Sequence, residues 1–287
     1  MKIVLTGSLG HISKPLTEIL VQQGHQVTLI STDPDKQAQI QAMGAQSAIG
    51  SISDLPFLIQ TFTGADVVYC MNPLDFTTRA IDAWDRNMDH YVEAIRQSGV
   101  KRAIVLSGWI AHLLSSVQPE KKFEALKGVS VTFVRPGPFY SNFYHMKEMI
   151  RQQGMIVSNY GGTDRIAFVA PEDIAAAIAA EMNTPATPGA KPLYVVSEEM
   201  TCTQAAGIIG AAIGIPDLQW IILPGDQVQQ VLEANGISPE AAGLLVEMQE
   251  MMHNGKAQKD YDQHTPVTGK RKLQDFAREY ATWYHQN

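Results

Sequence analysis

Residues 3–13 constrain the fold of this chain more than any other stretch. The apolar run Ile3-Val4-Leu5 leads through Thr6-Gly7-Ser8-Leu9-Gly10 into a segment where Ile12, Leu16, Ile19 and Leu20 share one helical face. A further apolar run at 27–30 follows at once. Strand, glycine turn, helix and second strand within 30 residues form a βα unit whose strands must lie parallel, because the crossover returns the chain to the same end of the sheet. Pro15 is tolerated in the first helical turn, where its missing amide would have no intrahelical partner, and Gly24 is suited to close the helix in the left-handed region.

The alternation continues to residue 135. Asp33-Pro34 forms a cap-and-start pair for a second helix, and Ser53 or Asp54 caps a third that carries Leu58, Ile59 and Phe62. The strand at 67–71 precedes a longer helix in which Ile81, Trp84, Met88, Tyr91 and Ile95 recur at helical spacing. Strands at 103–106 and 131–134 flank a helix at 120–126. The expected fold is α/β: a doubly wound, mostly parallel Rossmann-type sheet over 1–135, and a smaller, mostly helical substrate-side region over 136–287, with 190–197 adding a strand to the main sheet. In that second region helices are expected at 142–153, 174–182, 203–212, 226–232, 239–252 and 272–284, with 220–223 extended and 254–269 a polar connection.

Composition narrows the function classes. A net charge of -7 over 287 residues, with only short basic groups at Lys121-Lys122 and Lys270-Arg271-Lys272, argues against direct nucleic-acid binding. No run reaches the apolar length of a membrane helix, the five residues before the glycine turn that starts at Thr6 are too few for a signal peptide's apolar region, and the expected compartment is the cytoplasm. Cys70 and Cys202 supply neither a disulfide framework nor metal-ligand spacing, so no metal is expected.

The glycine turn is built to receive a diphosphate. Gly7 permits the sharp exit from the strand, Gly10 lets the backbone approach the anion, and the helix beginning near His11 directs its free amides at the charge. The cofactor is therefore expected to be NADP or NAD, held by Thr6, Gly7, Leu9, Gly10, His11 and Ile12. Ser13 stands where helix and sheet need a small residue. Ser31, Thr32 and Lys36, after the second strand, face the choice between the two nucleotides: Lys36 is the cation for a ribose phosphate, Asp33 and Asp35 oppose one, and Asp33 serves equally as a helix cap. Met71 and Asn72, at the carboxyl end of the fourth strand, belong on the nicotinamide side.

These segments resemble the NmrA-like branch of the atypical short-chain dehydrogenase/reductase family. TGSLGHIS is similar to the family's TGATGxxG; GVKRAIVLSG, VTFVRPGPFYSNF and IAFVAPEDIAAAIAAEM resemble its later strands, loop and helix, over about residues 1–220, with weaker agreement in TPVTGKRKLQDFAREYA. The resemblance implies an Arg where this chain has Thr32. It sets the adenine against 50–54, with Ile52 at the ring, where Ser51 replaces an acid and Asp54 keeps one or is only a cap. It aligns Ser107 with a serine that bonds nicotinamide or substrate, or that merely satisfies a strand end, and it brings Lys121 or Lys122 near a family lysine.

The usual Tyr/Lys pair spaced YxxxK is absent between Ser107 and Arg135. In its place the candidate catalytic residues are Ser107, Lys122 and Tyr140. Trp109, Phe139, Tyr140 and Tyr160 are candidates for an aromatic wall against a planar substrate; each is also a natural core residue. The resemblance then leaves two functions open. One is an NAD(P)H-dependent oxidoreductase passing hydride to a small quinone-like or other conjugated acceptor; the other is an NAD(P)-binding redox sensor or regulator without turnover, with a protein-contact surface including 239–269; a protein partner or a homodimer is open in either case.

Overall fold

The computed structural model describes residues 1–73, 80–114 and 118–286. Along the chain run β1 (Lys2–Leu5), α1 (Ser13–Gln22), β2 (Gln26–Ser31), α2 (Gln37–Ala42), β3 (Gln46–Ile49), α3 (Leu55–Phe62), β4 (Val67–Cys70), α4 (Ala80–Ser98), β5 (Arg102–Leu106), α5 (Pro119–Glu124) and β6 (Ser130–Pro136). They are followed by α6 (Lys147–Gln153), β7 (Met155–Ser158), β8 (Arg165–Phe168), α7 (Pro171–Met182), β9 (Gly189–Val196), β10 (Glu198–Thr201), α8 (Cys202–Ile213), β11 (Gln219–Ile222), α9 (Gly225–Ala234), α10 (Pro239–His253), α11 (Lys256–Tyr261), β12 (Val267–Thr268) and α12 (Leu273–Gln286). Two compact units result. The first holds the described residues up to Arg135 together with Ile174–Leu193; the second holds Pro136–Asp173 and the chain from Tyr194 onward.

Among the described residues the main sheet has eight strands in the order β12-β9-β6-β5-β4-β1-β2-β3. β1 pairs in parallel with β2 on one side and with β4 on the other, Ile3 lying opposite both Val27 and Val67. The chain thus winds outward through β2 and β3, then returns to β4 and proceeds in the opposite direction. The crevice at the carboxyl ends of β1 and β4 is the topological switch point, where open α/β sheets take their ligands.

Two-sided burial explains the near-continuous Val/Ile/Leu content of the central strands. Val68, Cys70, Ala103, Val105, Val131 and Phe133 share a buried cluster with Leu58 and Phe62 of α3 and Met88, Tyr91 and Ile95 of α4. Phe62 stacks on Tyr91 with ring centroids 6.4 Å apart. The Ile81 side chain lies outside the described residues. At the opposite end of β5, Arg102 is buried and turns its guanidinium onto the end of α7, donating to the carbonyls of Met182 (3.0 Å) and Thr184 (2.6 Å) and pairing with Glu181. This satisfies carbonyls a helix end would leave orphaned.

The second unit packs around aromatics. Phe143 lies 6.3 Å from Phe168, 6.0 Å from Trp220 and 6.3 Å from Phe276. β8 pairs antiparallel with β10, and β7 in parallel with β11. β7 and β10 are strands where the sequence expectation names none, and two further differences arise here. The helix expected at 142–153 begins only at Lys147, because 140–146 is a 3-10 segment; Tyr140 and Phe143, both buried, are three apart, the spacing that a 3-10 turn eclipses onto one face. The polar connection 254–269 contains α11 and β12, and its end is fastened by amides of Lys270 and Arg271 donating to Asp173 at 3.0 Å each.

Candidate active site

The turn after β1 is over-determined by local chemistry. Gly7 has φ +94°, and Ser8, at φ 51°, is the positive-φ residue other than glycine among the described residues. A Cβ on Gly7 would lie 2.5 Å from Ser13 Oγ and 2.5 Å from Met71 Cε, so glycine is demanded by space as well as by backbone angle. A Cβ on Gly10 would meet the Gly7 carbonyl oxygen at 3.0 Å, and the Gly10 amide donates to that same oxygen. Ser13, the small residue of α1, donates its hydroxyl to the Thr6 carbonyl at 2.8 Å and thereby ties the first helical turn to the end of β1.

Thr6 fastens β1 to β4. Its Oγ1 receives the Met71 amide at 2.7 Å and donates among the Tyr69 and Met71 carbonyls at 3.1 and 3.2 Å. Tyr91 of α4 also donates to the Met71 carbonyl, at 2.7 Å. On the other side, Ser8 donates to Ser31 Oγ at 2.9 Å, so the glycine turn is joined to the end of β2. The first turn of α1 carries no acidic residue and no side-chain cap bond. With Leu9 and Gly10 half-buried, His11 exposed and Ile12 buried, the turn lies at a helix amino end, where free amides are the chemistry that receives an anionic diphosphate. Thr6, Gly7, Gly10, Ser13, Ser31 and Met71 are therefore gathered at one place.

Other candidates have defined partners. Thr32 is exposed. Asp33 caps the following turn, accepting the Asp35 amide at 3.0 Å, and its second oxygen lies 3.8 Å from Lys36 Nζ across an exposed pair. Asp54 caps α3 through the Phe57 amide at 3.1 Å, while Ile52 packs half-buried against the core. Asn72 donates to the Trp84 carbonyl at 2.7 Å and accepts from Asn87 at 3.3 Å.

Ser107 follows β5, beside β4, and donates to Glu120 Oε1 at 2.6 Å. Glu120 is buried and held by Arg135, with Nε at 3.0 Å from Oε1 and Nη2 at 2.5 Å from Oε2. Sequence reasoning missed this pair. The available signal was Arg135 itself: a guanidinium ending the apolar strand Val131-Thr132-Phe133-Val134 is costly to bury without a carboxylate, but Glu120 reads locally as an ordinary first-turn acid. Lys122 lies 2.8 Å from both Asp85 and Asp89 of α4. Burial disfavours its ammonium, yet the hydrogen bonds and charges of the two aspartates outweigh that and raise its pKa. Trp109 is buried in the same unit.

Tyr140 and Tyr160 belong to the aromatic core of the second unit. Tyr140 is fully buried, donates to Glu198 at 3.1 Å and lies 5.8 Å from the Phe276 ring; burial and the Glu198 charge push its pKa up. Tyr160 packs on Trp220 at 5.2 Å, and burial raises its pKa too. Phe139 is half-buried and bridges to Val169.

The NmrA-like family matches residues 1–284. The chain belongs to that family. Among curated proteins, this NmrA-like chain is 22% identical to the NAD(P)H azoreductase of Xenophilus azovorans, over 97% of its own length and 98% of the relative's. Among solved structures, the NADPH-dependent quinone oxidoreductase of Escherichia coli, complexed with NADPH, superposes with a TM-score of 0.76 at 19% identity, covering 97% of this chain and 99% of the other. The triphenylmethane reductase of Citrobacter sp., complexed with NADP(H), superposes at 0.75 with 16% identity, over 98% and 100%. At such identities the superpositions establish a shared fold.

Proposed function

We propose that this NmrA-like protein is an NAD(P)H-dependent oxidoreductase that passes hydride to a small conjugated acceptor such as a quinone, an azo compound or a cationic dye. The observation that carries the reading is the Gly7 turn, fastened by Thr6, Ser13 and Met71 ahead of an uncapped helix. The activities of the azoreductase, quinone oxidoreductase and triphenylmethane reductase relatives support the acceptor class. Bound reduced nicotinamide would supply the hydride. The chain's own part is to hold the diphosphate at 7–12, position the adenosine along 31–36 and 52, and seat the ring near Met71 and Ser107.

In this reading neither Tyr140 nor Lys122 takes the proton-donor role. Tyr140 is committed to Glu198, and Lys122 to two aspartates. An acceptor with a delocalised π-system suits such a site, because the charge left by hydride arrival spreads over the acceptor and places less demand on a protein acid. The exposed Thr32 and the Lys36–Asp33 pair favour neither nucleotide strongly. The reading assigns the cytoplasm as compartment; no described helix is long and apolar enough to cross a membrane.

The test is loss of reduced-cofactor absorbance with benzoquinone, an azo dye and a triphenylmethane dye, using NADH and NADPH in turn. Turnover above a no-protein control is expected for at least one pairing. Strong discrimination between oxidised and reduced nucleotide with no turnover on any acceptor would transfer the assignment to the regulator reading, and failure to bind any of the four nucleotides would end both.

A further inference from the structure

We infer that Ser107 accepts, rather than donates, a hydrogen bond from the nicotinamide carboxamide, and that the buried Glu120–Arg135 pair is the positioning device that fixes this polarity. The inference rests on the NAD(P) reading and adds to it the direction of one bond. Both Glu120 oxygens are engaged by the Arg135 guanidinium, at 3.0 and 2.5 Å, in a site where the two side chains are 4% and 10% exposed. A carboxylate in such a bidentate pair only accepts. The proton in the 2.6 Å bond between Ser107 Oγ and Glu120 Oε1 therefore belongs to Ser107.

A serine hydroxyl has one proton and two acceptor lone pairs. With the proton committed, what half-buried Ser107 presents to a ligand is acceptor capacity alone. Its backbone is fixed as well, since its amide donates to the Val134 carbonyl at 2.8 Å. Ser107 lies at the carboxyl end of β5, on the β4 side of the switch point, while the adenosine half belongs over β2 and β3. The group reaching Ser107 from a dinucleotide laid across that crevice is the carboxamide of the nicotinamide, whose NH2 is a donor. Ser107 is thereby disqualified from donating to an oxyanion on the acceptor, in keeping with a reaction on delocalised substrates.

The experiment compares binding, by fluorescence titration, of reduced dinucleotides carrying a carboxamide, a thiocarboxamide or an acetyl group on the pyridine ring. The first two keep the NH2 donor and the third lacks it. The wild-type chain is expected to bind the carboxamide and thiocarboxamide forms about three- to tenfold more tightly than the acetyl form, the span of one net hydrogen bond. Ser107→Ala should collapse that preference to within twofold, and Ser107→Thr, which keeps the hydroxyl, should restore it. Glu120→Gln, where it folds, should narrow the preference because the side-chain amide can turn a donor toward Ser107. A wild-type preference for the acetyl form, or a carboxamide preference that survives Ser107→Ala, overturns the inference. ADP-ribose, which lacks the pyridine ring, reports the glycine turn separately: its failure to bind would strike the dinucleotide reading itself, whereas its equal binding to wild type and Ser107→Ala isolates the ring-side bond.

Discussion

Gly7→Ala should weaken dinucleotide binding far more than it destabilises the fold, and a second substitution should reverse much of the binding loss. The methyl group enters at φ +94°, which costs an L-residue roughly 1–2 kcal/mol. It also arrives 2.5 Å from Met71 Cε and Ser13 Oγ. The methionine tip can swing aside. Ser13 cannot, because its hydroxyl is bonded to the Thr6 carbonyl at 2.8 Å and its backbone is the first turn of α1. Ordinary contact needs about 3.5 Å, so the turn and the helix must part by about 1 Å. Amides that would meet a diphosphate near 2.9 Å then miss it, and each charge-assisted bond lost is worth about 1.5–3 kcal/mol. Affinity should fall about 10- to 100-fold. Ser13 Cβ, by contrast, lies 3.5 Å from the added methyl. Gly7→Ala/Ser13→Ala therefore removes the collision while keeping the backbone penalty, and should recover most of the affinity lost by Gly7→Ala alone. Calorimetric titration with NADH and NADPH, alongside urea unfolding of the four chains of the cycle, measures both parts. Affinity of Gly7→Ala within twofold of wild type, or no recovery in the double variant, would refute the reasoning.

Three further outcomes are expected. Thr32→Arg should shift nucleotide preference toward NADPH about tenfold or more, read as the ratio of dissociation constants, since it supplies a ribose-phosphate cation beside a Lys36 already paired with Asp33. Arg102→Met should cost about 3–5 kcal/mol in urea unfolding, because it strips buried carbonyls of their donor and leaves Glu181 without its buried guanidinium; nucleotide affinity measured below the transition should be unchanged. For Lys122 the folded pKa is raised, so its stabilising contribution is complete below the ordinary lysine value of about 10.4 and disappears as pH climbs through the higher folded value. The stability gap between wild type and Lys122→Met should accordingly stay level from about pH 7 to 9 and close at more alkaline pH, as followed by denaturant midpoints.

The sheet and its switch point were legible because their determinants are local. Ile3-Val4-Leu5, the Gly7 turn and the apolar stripe of α1 state the first crossover within about twenty residues, and the Asp33 and Asp54 caps need only neighbours a few positions away. What escaped depends on partners distant in sequence. The fastening of the 254–269 connection just past its end, at Lys270 and Arg271, relies on Asp173, nearly one hundred residues earlier, which reads locally as a first-turn helix acid. Tyr140 looks like an aromatic wall until Glu198 and Phe276 are found around it. Ser107 was singled out, yet its bond direction depends on Glu120 and Arg135, and no spacing rule links those three.

The return of the chain at Ile174–Leu193 to its first unit has a practical consequence for anyone recombining this protein with its relatives. A crossover placed at residue 135 would discard the Glu181 carboxylate that accepts from Thr132 at 3.0 Å, the carbonyls that Arg102 serves, and Asn183, which donates to Gln23 at 3.1 Å. A chimera that exchanges the second half must carry 174–193 from the same parent as residues 1–135. The interchangeable modules of this architecture are sets of discontinuous segments, and a single cut in the gene separates none of them.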